Sequence, residues 1–337
     1  MKKKITIAIM IIILLFGGAG FYILKQHSFA MVEQAVEIQT PQGKLTGTLV
    51  LPKNYTGKVG LVLFVHGDGE VDSTLDGDYR HIWERIAAAG YASLSLSKPG
   101  IDGSEGNWLD QSIDDRVEEA RHAIAWAKAQ PMIDATKIGT WGASQAGWVI
   151  PKLAGKELLA FNILVGPAIN WLSQGEYNTR MEMQHLGYSE ADIEKKVAKG
   201  RKVRELLRKK APYDEYVKLV GEKDAMSKKR WAFVMKNFLS DVTDDLRLFR
   251  SPVLLFLGEK DINVDSKETE QVYRRLVSPE LLTVTVFPDT EHRMMSTQTA
   301  DSDFRALMIS IFAPRQITVP EYLDKIEQFL KELPQSK

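Results

Sequence analysis

The 337-residue chain predicts an α/β fold built on a mostly parallel sheet. Short apolar runs recur along it, each closed by Gly or Pro, as strands buried on both faces should be. Helical stripes stand between those runs, and strand–helix–strand succession requires parallel pairing with helices on both faces of the sheet. Between Gly166 and Arg250 the alternation stops and only helical stripes continue, which predicts a helical insertion between two strands.

In chain order, Val36–Gln39 and Leu45–Leu51 alternate like strands around Gly43 and predict an antiparallel hairpin. Parallel strands are then predicted at Leu61–Val65, Tyr91–Leu96, Lys137–Trp141, Phe161–Val165, Val253–Leu257 and Leu282–Phe287. Helices are predicted over Tyr79–Ala89, from a Ser112 cap through Ala129, and from Pro320 onward, where Leu323, Ile326 and Leu330 recur at helical spacing. Ile193/Val197, Val203/Leu206/Leu207 and Trp231/Val234/Met235/Phe238 mark helices of an insertion over about residues 168–250. An insertion after the C-terminal end of a strand lies over the ligand crevice of such a sheet, so it is expected to act as a cap.

The N-terminus belongs to another category. Lys2, Lys3 and Lys4 precede Ile5–Leu24, twenty residues without a charge. A helix of that length spans about 30 Å, the hydrocarbon thickness of a bilayer. The lysines should stay cytoplasmic, placing everything after Lys25 outside the cell membrane. The reading is therefore a single-pass membrane anchor over residues 1–25, with the α/β domain over residues 31–337. The alternative is a cleaved signal segment, for which Ser28-Phe29-Ala30 is an acceptable site.

Composition removes several chemistries. There is no cysteine, hence no disulfide, thiol nucleophile or cysteine-ligated metal. Basic and acidic residues balance at 44 each, which gives nucleic acid no global attraction. No His-Glu-x-x-His and no phosphate-binding Gly-rich loop occurs, so neither a metal nor another cofactor is expected. Ser95-Leu96-Ser97-Lys98 fits Ser-x-x-Lys but lies at a strand end, without the companion motifs. Lys195–Arg230 carries fourteen basic and five acidic residues. It reads as the solvated face of insertion helices, with a sharper alternative in contact with anionic headgroups or anionic substrates.

The chemistry concentrates at Trp141-Gly142-Ala143-Ser144-Gln145-Ala146-Gly147, a strand, a sharp turn and a helix start with serine at the apex. Such a turn lifts a nucleophile clear of the sheet and needs small flanking residues. Ala146 replaces the usual glycine, which appears one residue later. A serine hydroxyl needs a base, and the base needs an acid to hold its tautomer. His292 follows the strand ending at Phe287, and Asp261 follows the strand ending at Leu257, with Glu259 as the fallback acid. Asp289 and Glu291 are expected to shape the histidine loop. Backbone N–H groups of Gln145 and Asp68, with Gly69 next, are the candidate oxyanion donors. His66 is expected to brace that loop by hydrogen bonds.

These residues, with Lys98-Pro99-Gly100 through Ser104-Glu105-Gly106, resemble the α/β-hydrolase superfamily, in the branch of bacterial serine esterases and acyl hydrolases with a helical cap. The resemblance covers roughly Val36–Leu333. It implies a cofactor-independent acyl-enzyme route with Ser144 as nucleophile, His292 as base then acid, and Asp261 orienting it. The fold hosts esterases, thioesterases, lipases and peptidases, so the substrate does not follow from it. Hydrolysis of carboxylic esters of small acyl substrates is the leading expectation; amide, peptide or thioester cleavage at the same residues is the alternative. A non-catalytic binding module ranks last, because all three catalytic positions are filled. Trp108 and Trp148, with Trp171 and Tyr177, are candidate lining for an acyl pocket. The oligomeric state is left open.

Overall fold

The computed structural model describes residues 17–333. Nine of the predicted anchor's residues, 17–25, lie in a helix, α1, that runs through residue 26; the rest of the predicted anchor, residues 1–16, lies outside the described residues. Among the described residues no helix is long and apolar enough to cross a membrane.

One eight-stranded sheet organises the chain in the order β1-β2-β4-β3-β5-β6-β7-β8. The predicted hairpin is β1 (Met31–Thr40) and β2 (Gly43–Pro52), paired antiparallel, with β2 antiparallel to β4 (Tyr91–Leu96). The remaining neighbours are parallel: β3 (Val59–Val65), β5 (Ile133–Ala143), β6 (Asn162–Val165), β7 (Val253–Gly258) and β8 (Leu282–Phe287). Parallel pairing brings the C-terminal ends of β3 to β8 to one edge, and the loops carrying His66, Ser144, Asp261 and His292 all leave from it.

The period of two in β3 builds both layers. Leu61, Leu63 and Val65 pack on one face with Val117, Ala120 and Ile124 of α3 (Ile113–Lys128) and Tyr273 of α9 (Ser266–Leu276). Val62 and Phe64 pack on the other with Ile82, Trp83 and Ile86 of α2 (Arg80–Ala88) and Tyr322, Ile326 and Leu330 of α12 (Pro320–Glu332). Ser112 caps α3 as predicted: its hydroxyl accepts from Asp115 N, and the Asp115 carboxylate accepts from Ser112 N at 2.7 Å. The expectation that every parallel strand is buried on both faces fails at β8. This edge strand has a neighbour on one side only and leaves Thr283 and Val286 exposed.

Between β6 and β7 stand four helices, α5 (Trp171–His185), α6 (Glu190–Arg208), α7 (Tyr213–Val220) and α8 (Lys228–Asn237). They gather a separate apolar cluster around Leu207, Tyr216, Trp231 and Phe233. Part of the basic run is paired within the insertion, where Arg201 and Arg204 of α6 both bind Glu176 of α5. The hydrogen bond from Arg201 leads the causes that pull this carboxyl down to about 2. Asn237 docks the insertion: its Oδ1 accepts from Ile113 N at 2.9 Å, at the start of α3.

Candidate active site

Ser144 sits at the first residue after β5 with φ +54°, a left-handed backbone that a side-chain-bearing residue adopts only under local constraint. The turn closes because Gly142 has no Cβ. A Cβ there would lie 2.6 Å from both the Ala146 methyl and Ile150 Cδ1. Ala146, the departure from the usual motif, is fully buried and fills the space that Gly142 leaves. Gly147 meets Pro167, where a Cβ would come to 2.4 Å, so the second glycine serves contact with the loop after β6.

Asp261 and His292 come together as predicted. His292 Nδ1 lies 2.7 Å from Asp261 Oδ2. The other carboxylate oxygen accepts from Asn263 N at 2.7 Å and Val264 N at 2.9 Å, which fixes its plane. A carboxylate only accepts, so Nδ1 carries the proton and Nε2 is left as the basic nitrogen. Burial pushes the imidazole pKa down, but the Asp261 charge and hydrogen bond outweigh it and hold it above the ordinary histidine value of 6.5. Gly166, at φ +51°, makes room for the pair: a Cβ there would stand 2.9 Å from His292 Nδ1. The fallback acid Glu259 instead accepts from Asp289 N at 3.3 Å. Glu291 accepts from Arg293 N and Met295 N, shaping the loop as expected.

The loop after β3 is held by two buried basic side chains. Lys98 Nζ donates to Gly67 O at 2.6 Å and to Gly69 O at 2.8 Å. Arg116 Nη2 donates to His66 O at 2.5 Å, and its Nη1 to Gln145 Oε1 at 2.6 Å. A trans peptide points its N–H opposite its C=O, so drawing the Gly67 carbonyl onto Lys98 turns Asp68 N–H away from Lys98. Burial drives the Lys98 pKa well below the ordinary lysine range. His66 braces the loop as expected. Its Nε2 lies 2.6 Å from Leu96 O and must donate, so Nδ1 accepts from Tyr79 OH at 3.0 Å. Burial lowers its pKa to about 3, which keeps the ring neutral.

The insertion reaches both sides of these loops. Arg230 of α8 binds the Asp68 carboxylate through both terminal nitrogens. Burial raises the Asp68 pKa, and the Arg230 hydrogen bond and charge reverse that, leaving it below the ordinary value. On the other side, α5 holds the acid loop: Tyr177 OH donates to Asp261 O at 2.9 Å and Gln174 Nε2 to Asn263 O at 2.9 Å.

Ser144 and His292 line one cavity of about 390 Å³. Gly67 and Asp68 share its wall, with Val71, Leu75, Ile82, Met294, Met295 and Ile317 as apolar lining. Trp108 and Trp148 are not among its lining residues, because both fill interior space between layers. Trp108 packs against Phe233 beneath the Arg230 guanidinium. Trp148 stacks on Trp171 and donates to Ile169 O at 3.0 Å. Gly69 accepts from Lys98 through its carbonyl and does not line the cavity either. Sequence reasoning missed Arg116, the roles of Lys98 and Tyr177, and Arg230. The signal for Arg116 was a cation three residues after Ile113 and four before Ala120, inside the apolar stripe of α3.

An eight-stranded, mostly parallel sheet with a serine turn after β5 and an Asp–His pair after β7 and β8 defines an α/β hydrolase. The chain belongs to the Hydrolase_4 family, described as serine aminopeptidase, S33, whose model matches residues 57–298. Solved structures share the fold. The Pyrococcus furiosus esterase Pf2001 aligns at TM-score 0.56 and 18% identity over 92% of this chain and 93% of that one. The α/β hydrolase GrgF from Penicillium sp. sh18 aligns at TM-score 0.58 and 15% identity over 90% of this chain and 99% of that one. A Pyrobaculum calidifontis esterase aligns at TM-score 0.53 and 16% identity over 94% and 91%. No curated protein sequence matches the chain.

Proposed function

We propose that the protein is a serine hydrolase that cleaves carboxylic esters through an acyl-enzyme. The observation that carries this reading is the 2.7 Å contact of His292 Nδ1 with Asp261, with His292 lining the same cavity as Ser144. His292 Nε2 takes the Ser144 hydroxyl proton as Oγ attacks the ester carbonyl carbon. The carbonyl oxygen becomes an anion held by the N–H groups of Asp68 and Gln145. Collapse expels the alcohol, which leaves with the proton from His292. Water, deprotonated by His292 in turn, attacks the acyl carbon, releases the acid and restores Ser144.

Ester rather than peptide cleavage is favoured by the charges on the cavity wall. An aminopeptidase needs a free carboxylate to hold the substrate's amine. Among the described residues, the two acidic side chains that line this cavity, Asp68 and Asp78, are already bound to Arg230 and Arg293. The remaining lining is largely apolar and suits an acyl chain. The insertion serves as a cap, tied to the acid loop through Tyr177 and to the oxyanion loop through Arg230. Residues 1–25 serve as a membrane anchor that holds the hydrolase domain outside the cytoplasm, on the strength of the uncharged run Ile5–Leu24.

A p-nitrophenyl ester series run beside aminoacyl-anilides tests the substrate class, with Ser144→Ala as the control. Ester turnover is expected to dominate and to be lost by about 10⁶ in the variant. Faster anilide cleavage would replace the ester reading with a peptidase.

A further inference from the structure

Helix α11 (Asp303–Phe312) carries an apolar stripe that does not pack on the core. Phe304, Leu307, Met308 and Ile311 recur at helical spacing, yet all four are exposed, Phe304 at 73%, and the helix buries no residue. An apolar stripe is normally the face turned to the core. Here it faces outward, and such exposed patches mark contact with lipid or protein.

Its surroundings identify the occupant. α1, which also exposes Phe21, Tyr22 and Leu24, ends against α11. His27 Nε2 lies 3.0 Å from Ile311 O, and Arg315 donates to Gln26 O at 2.5 Å and to Ser28 O at 2.9 Å, so the C-terminal end of α1 is tied to this corner. Arg315 also binds Glu84 of α2, which fastens the corner to the main layers. The uncharged run ends at Leu24, three residues before His27, a rise of about 4.5 Å along a helix. A bilayer holding that run would therefore meet α11 directly. The same corner opens onto a cavity of about 520 Å³ whose lining includes Ile23, Phe29 and Ile311 together with Asp76 and Arg80. Asp78, His81 and Ile317 line both this cavity and the one at Ser144.

We propose that α1 and the outward face of α11 form one bilayer-docking surface, which presents this corner to the lipid so that the Ser144 cavity is loaded from the membrane with the acyl chain of a lipid ester. The substrate half of the inference rests on the ester reading above; the docking half does not. An amphipathic face laid in the headgroup region and a spanning segment are two independent membrane contacts, and together they fix the orientation that one alone leaves free.

The absence of native cysteine allows a direct test on the full chain. Leu307→Cys and, as control, Leu158→Cys are each labelled with an environment-sensitive fluorophore and reconstituted into vesicles of phosphatidylcholine and phosphatidylglycerol in equal parts. Leu158 is 86% exposed and precedes β6, at the sheet edge opposite the site. Spin-labelled lipid is expected to quench the Leu307 label several-fold more than the Leu158 label. Equal quenching overturns docking, as does energy transfer between Leu307 labels without lipid quenching, which would assign the face to a second copy.

Phe304→Glu with Leu307→Glu is expected to slow hydrolysis of a long-chain ester held in the vesicles by about tenfold. Turnover of a soluble short ester should be unchanged. Unchanged turnover of both esters overturns loading from the membrane. Equal loss on both signals a damaged fold, and the labelled chain then decides. A wild-type chain that hydrolyses neither ester sinks the ester reading while the quenching result still stands on its own.

Discussion

Arg116 holds Gln145 from one side while Asp68 holds it from the other. The arginine donates to Gln145 Oε1 at 2.6 Å, and Gln145 Nε2 donates to Asp68 Oδ1 at 3.2 Å. The residue after the nucleophile is thus bridged to the loop after β3, and the same guanidinium takes His66 O from that loop. One buried cation thus joins the two loops whose backbone N–H groups are proposed as the oxyanion donors.

Arg116→Met should therefore act on kcat more than on KM. Losing one oxyanion donor costs about 2.7–4 kcal/mol in the barrier. Loosening both without removing either is expected to cost about 1.5–3 kcal/mol, or roughly ten- to a hundredfold in kcat. Steady-state kinetics with a soluble ester, beside a circular dichroism check of the fold, measures it. A rise in KM alone would assign Arg116 to substrate binding.

His292 sets the pH dependence. Its pKa lies above 6.5, and only the neutral imidazole can take the Ser144 proton, so activity is lost as pH falls through that raised value. The acid limb of kcat/KM is expected to have its midpoint above 6.5. Asp261→Asn removes the charge that raises the pKa and presents a different hydrogen-bonding group to Nδ1. The midpoint should then fall, and kcat by about 10⁴. A wild-type midpoint below 6.5 would show that burial outweighs the Asp261 charge at His292.

Gly166→Ala tests the packing behind the pair. The backbone is left-handed there, and the new methyl would meet the imidazole at 2.9 Å from Nδ1. The strain costs about 1–3 kcal/mol of stability. Displacing His292 should also lower kcat, on the order of 10²-fold. A variant with full activity would show that the ring has room to shift without consequence.

The Arg230–Asp68 pair is partly exposed, with 28% and 41% of the side chains accessible, so it contributes at most about 1 kcal/mol to stability. Its effect on catalysis is expected to be larger. Arg230→Met leaves a bare carboxylate beside the developing oxyanion and should lower kcat about tenfold. Adding Asp68→Asn removes that charge and should recover most of the loss. Failure of the double variant to recover would place the effect in cap geometry instead.

The sheet was legible because its strands are short, apolar and closed by Gly or Pro, and the catalytic candidates were legible because the fold fixes their order along the chain. Asp261 was separable from Glu259 by its position in the loop, which lets both its oxygens find partners. What hid were residues whose role is set by burial. Arg116 and Lys98 look like surface charges until the layers close over them. Trp108 and Trp148 look like pocket lining because aromatic side chains suit either place. Helix α9 escaped notice because Lys267, Glu268, Glu270, Arg274 and Arg275 mask its Val272 and Tyr273 stripe. Helix α11 escaped because its apolar face turns away from the core.

The most direct test of the central claim is covalent. The full chain is treated with a tagged fluorophosphonate, digested, and the modified peptide located by mass spectrometry, beside Ser144→Ala and His292→Ala. The account predicts a single adduct on Ser144, abolished in the first variant and slowed by orders of magnitude in the second. An adduct on another residue would contradict it by moving the nucleophile elsewhere, and no adduct in folded wild-type protein would contradict it and leave the domain as a binding module.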